Sequence, residues 1–176
     1  SYPTAELFIN GKSYGKQSKN NSSLKNRYRL MWMDAVYEPG EVKVVAYNKD
    51  GKAVAEKVVR TAGKPHHIEL VSNRNELTAD GKDLAYVTVK VVDKDGNLCP
   101  TDNRQINFSA KGAGKYRAAA NGDPTNLEQF HLPKMHAFNG MLTAIIQAGE
   151  TAGEIVFTAK ANAVSYTHLR AHETSA

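Results

Sequence analysis

Eighteen carboxylates, six histidines and one cysteine are the residues of this 176-residue chain with reactive chemistry to offer. Cleaving a glycosidic bond takes two carboxyl groups, about 5–5.5 Å apart for retention and roughly 6.5–9.5 Å for inversion. At least one of them must also stand on a rigid element facing a cleft. Asp50, Asp80, Asp93, Asp95 and Asp123 instead each lie within three residues of a glycine. Aspartate takes that place for turn geometry alone, because its side chain accepts from backbone N–H groups close by. Glu6, Glu41, Glu56, Glu69 and Glu154 fall on polar strand faces or edges, and no pair of acids stands out. The sequence offers no catalytic residue.

The other motifs fail on spacing. Asp93, Asp95 and Asn97 alternate as in a calcium loop, but glycine comes fourth (Gly96) and the twelfth place holds Arg104 instead of Glu. A hairpin turn explains the run better. Lys111-Gly112-Ala113-Gly114-Lys115 suggests phosphate binding, yet Tyr116 stands where a phosphate loop needs Ser or Thr, and Ser109 where it needs its first Gly. His168 and His172 have helical i,i+4 spacing without the zinc-protease Glu after the first. His66 and His67, as adjacent strand residues, should point to opposite faces and share no metal. Cys99 beside Pro100 reads as a small apolar residue with nothing near it to activate a thiolate. No metal site and no cofactor site is expected.

The elements that carry these residues read as β throughout. Ala5–Ile9 ends at the turn Asn10-Gly11, with Ser13–Lys16 returning. Tyr28–Val36 is expected as a strand with Tyr28, Leu30, Trp32, Asp34 and Val36 on one face. Residues 42–47 and Ala53–Arg60 alternate across the turn Asn48-Lys49-Asp50-Gly51. Thr61-Ala62-Gly63-Lys64-Pro65 reads as a linker. Beyond it, Ile68–Ser72, Leu84–Val92, Ile106–Ala110, Leu142–Gln147 and Glu154–Ala161 are strands separated by turn signals. The fold class is all-β, two consecutive immunoglobulin-like β-sandwiches over residues 1–63 and 64–163. Between Gly112 and Gly140 the alternation fails, so a long excursion is expected, and long ordered loops are often functional.

Residues 164–176 change character: they show no β alternation and suit a turn or two of helix. They are expected to be a non-native or disordered tail, similar to adapter-derived ends on some assembled gene fragments. The opening Ser1-Tyr2-Pro3-Thr4, without Met or a signal peptide, suits part of a longer polypeptide. No apolar stretch approaches the roughly 20 residues of a membrane span. The net charge of +5 tempts towards nucleic acid. Residues 1–64 hold 12 Lys and Arg against 6 acids, while residues 65–163 hold 10 against 11. The excess lies in the Ser- and Asn-rich stretch around Lys16, Lys19, Lys25, Arg27 and Arg29, flanked only by Tyr14 and Tyr28. Nucleic-acid binding would interleave aromatics with that charge, so neither nucleic acid nor membrane is expected as a partner.

Two sets of motifs carry a resemblance. Ala5-Glu6-Leu7-Phe8-Ile9-Asn10-Gly11-Lys12, Tyr28-Arg29-Leu30-Met31-Trp32 and Tyr37-Glu38-Pro39-Gly40-Glu41-Val42-Lys43-Val44-Val45-Ala46-Tyr47 resemble the small β-sandwich after the catalytic barrel in glycoside hydrolase family 2 enzymes. Val42 stands where Leu is common there. Asp93-Lys94-Asp95-Gly96-Asn97, Asn121-Gly122-Asp123-Pro124-Thr125 and Phe138-Asn139-Gly140 look like the C-terminal invasin-like sandwich of the same enzymes. The resemblance implies a bacterial, β-galactosidase-type parent acting through two glutamates on a separate barrel, periplasmic or secreted. Those glutamates map onto nothing here.

The resemblance also implies the partners: the catalytic barrel of the same parent chain, a carbohydrate, or a second copy in a homo-oligomer. Three roles stay open, namely scaffold, carbohydrate-binding module, and cell-surface adhesion or spacer domain. For sugar stacking, Trp32 reads as core, and Tyr37, Tyr47 and Tyr116 are weaker platforms. The loop Asn121–Phe138 could reach a neighbouring site, anchored by Phe130, His131, His136 and Phe138, or these could simply plug the sandwich end.

Overall fold

The computed structural model describes residues 2–164 and 167–174. Among them there are thirteen strands and no helix, arranged in three sheets whose pairings are antiparallel except one. The chain divides into two compact units, Ser1–Thr61 and Ala62–Ala176.

Unit 1 is a four-stranded sheet in the order β2-β1-β3-β4, from β1 (Thr4–Ile9), β2 (Lys12–Ser18), β3 (Glu41–Tyr47) and β4 (Ala53–Arg60). Asn10 and Gly11 both have positive φ, at 48° and 81°, the geometry a two-residue hairpin demands. Asn10 then clamps the start of β3: its Oδ1 accepts from Glu41 N at 2.8 Å and its Nδ2 donates to Pro39 O at 3.1 Å. A Cβ on Gly40 would stand 2.0 Å from that Oδ1, which is why the turn requires glycine. Ala5, Leu7 and Ile9 alternate inward on β1 and are buried. The strand expected over Tyr28–Val36 does not form. Those residues run as coil and turn, with Leu30, Met31 and Trp32 half-buried and Tyr28, Met33 and Val36 exposed. Apolar alternation is necessary for a strand, but only a partner backbone makes it one, and among the described residues none pairs with this segment.

Unit 2 has two sheets. One runs β5-β7-β11-β9, from β5 (His67–Ser72), β7 (Leu84–Val92), β11 (Met141–Ala148) and β9 (Gly114–Ala120). The other runs β10-β8-β12-β13-β6, from β6 (Glu76–Thr78), β8 (Gln105–Gly112), β10 (Lys134–His136), β12 (Glu154–Ala161) and β13 (Thr167–Thr174). Val87, Val89 and Val91 on β7 alternate inward with no exposure and meet Ile106 on β8 and Ile155 and Phe157 on β12 in one core. Each such side chain contributes roughly 1.5–3 kcal/mol on burial. Phe108 stacks against Tyr116 and Phe157, at centroid distances of 5.6 and 5.9 Å.

Two expectations for unit 2 need correction. The excursion between Gly112 and Gly140 contains β9 and β10. Alternation is hidden there because β9 carries Ala118, Ala119 and Ala120, small residues with little apolar contrast. The tail expected as a turn of helix or disorder includes β13, antiparallel to β12 and parallel to β6. Strand addition is dictated by unpaired backbone groups on a neighbouring edge more than by side chains. Leu169 and Ala171 do turn towards the core.

Candidate functional site

The segment between β9 and β10, residues 121–133, is held by its own polar side chains. Asn121 Oδ1 accepts from Asp123 N (3.0 Å), and its Nδ2 donates to His136 O (3.0 Å). Asp123 Oδ1 accepts from Thr125 N and from its hydroxyl, both at 2.8 Å. Asn126 Oδ1 accepts from Glu128 N at 3.0 Å. The Glu128 carboxylate bridges back to His136, accepting from its backbone N at 3.1 Å and lying 3.0 Å from its Nδ1. Burial would raise the Glu128 pKa, but these His136 bonds outweigh it and hold the carboxyl below its ordinary value. Tyr116 ties the loop to the core, its hydroxyl 2.7 Å from Leu132 O, and burial pushes its pKa up to about 12.

Met135 and Ala137 are buried in the core of unit 2. Phe138 is more than a third exposed and precedes Asn139-Gly140, a second positive-φ turn at 52° and 75°. Phe130, at 57% exposure, and Leu127, at 96%, point away from the protein. The sequence reading singled out Phe130, His131, His136 and Phe138 and missed Leu127. Its signal was a lone large aliphatic residue between Asn126 and Glu128.

The remaining chemical candidates serve structure. Asp93, 2% exposed, closes a turn around itself, accepting from the N–H groups of Gly63 (2.8 Å), Asp95 (2.9 Å) and Asn97 (2.8 Å) and from Asn97 Nδ2 (3.0 Å). The Gly63 N–H, then the Asn97 side chain, hold its pKa far below the carboxylate range. Asp102 and Arg104 form a two-pronged pair (Nε to Oδ1 2.8 Å, Nη2 to Oδ2 2.6 Å), while Arg104 Nη1 donates to Asn162 O at 2.8 Å. Cys99 is buried, and burial raises its pKa.

His66 and His67 depart from expectation. Their Nδ1 atoms lie 3.1 Å apart with the rings edge-to-face, because His66 precedes β5 and escapes the strand's alternation. Among the described residues no three His, Cys, Asp or Glu side chains gather as a metal would need. The backbone of His168 and His172 is extended, so their i,i+4 spacing has no helix to act on.

The glycines of the run 111–115 line a shallow cavity of about 510 Å³ with Gly81 and Ala148–Thr151. A Cβ on Gly112 would meet Glu154 O at 2.0 Å, and one on Gly114 would meet Gln147 O at 2.7 Å. Both glycines let neighbouring strands approach, and neither is needed to cradle a phosphate.

In unit 1, Glu6 accepts from the hydroxyls of Ser13 (2.6 Å) and Tyr47 (2.8 Å) and is held below its ordinary pKa, Ser13 contributing most. Lys16 stands 4.0 Å over the Tyr47 ring and Lys43 stands 5.2 Å over Phe8. Trp32 donates from Nε1 to Gly15 O at 2.8 Å and is not a free platform. What these arrangements do chemically is fix turns and faces.

Comparison with known proteins places these elements. Residues 68–170 match the family described as glycoside hydrolase family 2 C-terminal domain 5, and residues 1–55 match a domain of unknown function, DUF4982. Beta-galactosidase BoGH2A of Bacteroides ovatus is 42% identical over 165 residues, which is 94% of this chain and 19% of that protein. A beta-galactosidase of Thermoanaerobacter pseudethanolicus is 34% identical over 66% of this chain and 14% of its own length. A crystal structure of a glycosyl hydrolase family 2 member from Bacteroides cellulosilyticus superposes with a TM-score of 0.86 at 32% identity, over 98% of this chain and 22% of that one. The chain thus spans about a fifth or less of these two curated relatives.

Proposed function

This chain belongs to glycoside hydrolase family 2, within its C-terminal domains, and on that premise we propose that it forms non-catalytic accessory modules of a longer β-galactosidase-like enzyme. The catalytic barrel and its two glutamates lie elsewhere on that polypeptide. The modules pack on the barrel, shape the approach to its cleft or mediate association of copies. The observation that carries this reading is the occupation of the acids. Asp80, Asp83, Asp93, Asp102 and Asp123 each accept at least one nearby backbone N–H, and Glu6 and Glu128 are engaged by Ser13, Tyr47 and His136. A nucleophile or proton donor needs a carboxyl free to meet substrate in a cleft. These carboxylates are committed to turns and to neighbouring side chains.

The longer polypeptide, assayed on a chromogenic galactoside with and without residues 1–176, tests the proposal. The expected result is an inert isolated chain and a longer polypeptide that loses stability or turnover on its removal. Hydrolysis by the isolated chain that disappears on changing a single Glu, or saturable galactoside binding to it, would overturn the scaffold role.

A further inference from the structure

The loop between β9 and β10 keeps two large apolar side chains in water. Leu127 and Phe130 are 96% and 57% exposed, while Met135 and Ala137, further along the chain, are buried in the core. A mobile loop would fold such groups back onto the protein. This one cannot, since Asn121, Asp123, Asn126 and Glu128 bond its backbone at successive positions and Tyr116 fixes its base. Ordering a loop in advance of contact removes that entropy cost from association.

We propose that this loop is a preset docking element whose Leu127 and Phe130 seat in an apolar recess on another domain of the same longer polypeptide. The inference rests on the accessory reading and names the surface through which it works.

Two considerations select a tethered protein domain as the occupant. A sugar site is built round an exposed aromatic face on which a pyranose can stack. Here the most exposed apolar group is Leu127, an aliphatic side chain at 96% exposure that offers no such face. A second copy of the chain would need about 1,000 Å² of buried surface to associate stably. Two protruding side chains fall far short of that. A domain on the same polypeptide needs much less, because covalent linkage supplies a high effective concentration. There is ample chain to supply it, since this one spans only 19% of its Bacteroides ovatus relative.

Hydroxyl-radical footprinting of the isolated chain and of the longer polypeptide tests the inference. The expected result is strong oxidation of Leu127 and Phe130 in the isolated chain and loss of most of it in the longer polypeptide. The double variant L127S/F130S should leave the unfolding midpoint of the isolated chain unchanged and lower that of the longer polypeptide. Oxidation at the isolated-chain rate in the longer polypeptide overturns docking, and any loss of turnover on deleting residues 1–176 would still uphold the accessory role. Protection of the isolated chain that grows with its own concentration assigns the loop to a second copy and overturns the inference. Protection that appears only on adding a galacto-oligosaccharide assigns it to sugar and does the same.

Discussion

Unit 1 and unit 2 are both built from mainly antiparallel strands, but they enclose their apolar residues very differently. In unit 2, two sheets face each other and hold Ile68, Val87, Val89, Val91, Ile106 and Met135 at zero exposure. In unit 1, among the described residues, only Ala5, Leu7 and Ile9 are buried, and Val54 and Val59 on β4 stay exposed. The lesson is that alternation fixes which face of a strand is apolar, while enclosure depends on a second layer. A lone sheet with one covered strand gains a fraction of what a sandwich gains.

The sharpest way to break that contrast is to remove one large side chain from each unit. Phe157→Ala deletes a ring that is 2% exposed and stacked on Phe108. It should cost about 3–5 kcal/mol and unfold unit 2 well before the parent chain. Val59→Ala, at a 61% exposed position, should stay within about 0.5 kcal/mol. Trp32 is the only tryptophan and lies in unit 1, so its fluorescence follows that unit alone. Far-UV circular dichroism follows both. A coincident shift in both signals for Phe157→Ala would show the two units unfolding as one and erase the distinction.

The next largest effect sharpens the comparison through charge. Arg104→Ala leaves the Asp102 carboxylate, 8% exposed, without its two-pronged partner, at a cost of about 2–3 kcal/mol to unit 2. The same groups set the acid response. A carboxyl whose pKa is lower folded than unfolded contributes its stability above the unfolded value, and that contribution is lost as pH falls through the folded one. In unit 2 this holds for Asp80, Asp83, Asp93, Asp102 and Glu128, and in unit 1 for Glu6. For Asp102, burial alone would push the other way, and the Arg104 bonds and charge reverse it. Unit 2 should therefore lose stability steeply as pH drops below about 4, the ordinary carboxylate value. Unit 1 should lose much less. Thermal melts between neutral and strongly acid pH measure both slopes, and equal slopes would contradict the assignment.

Much of this was legible in the sequence, and the failures share a cause. Asn10-Gly11 and the alternating runs on β7 and β12 are local signals, so hairpin and strands were readable from a few residues. Tyr28–Val36 looked equally β-like, but pairing is a property of two backbones and cannot be read from one. The same reasoning runs in reverse at β13, whose residues lack alternation yet pair with β12 and β6. His66 and His67 failed for a finer reason, because a strand boundary fell between them. At the candidate loop, the Asn, Asp and Thr residues announced turns. Which apolar side chains those turns would leave outside was not visible, since the exposure of Leu127 and the burial of Met135 and Ala137 depend on how the segment packs on the sheets.

A smaller and local effect sits where the comparison is finest, at the indole bond that ties the unpaired segment of unit 1 to its sheet. Gly15 has φ of 84° at the irregular step in the β1–β2 pairing, and its carbonyl accepts from Trp32 Nε1. Trp32→Phe keeps an aromatic ring and removes the donor. The carbonyl lies on exposed strand β2 and regains water, so the net loss should be only about 0.5–1 kcal/mol. Its consequence should be local: amides 28–36 should exchange faster with solvent, while those of β7 and β11 keep their protection. If β7 and β11 also exchange faster, the segment is coupled to more than the sheet it touches. If no amide changes, the half-burial of Leu30, Met31 and Trp32 holds the segment without the indole bond, and unit 1 is better enclosed than its exposed valines suggest.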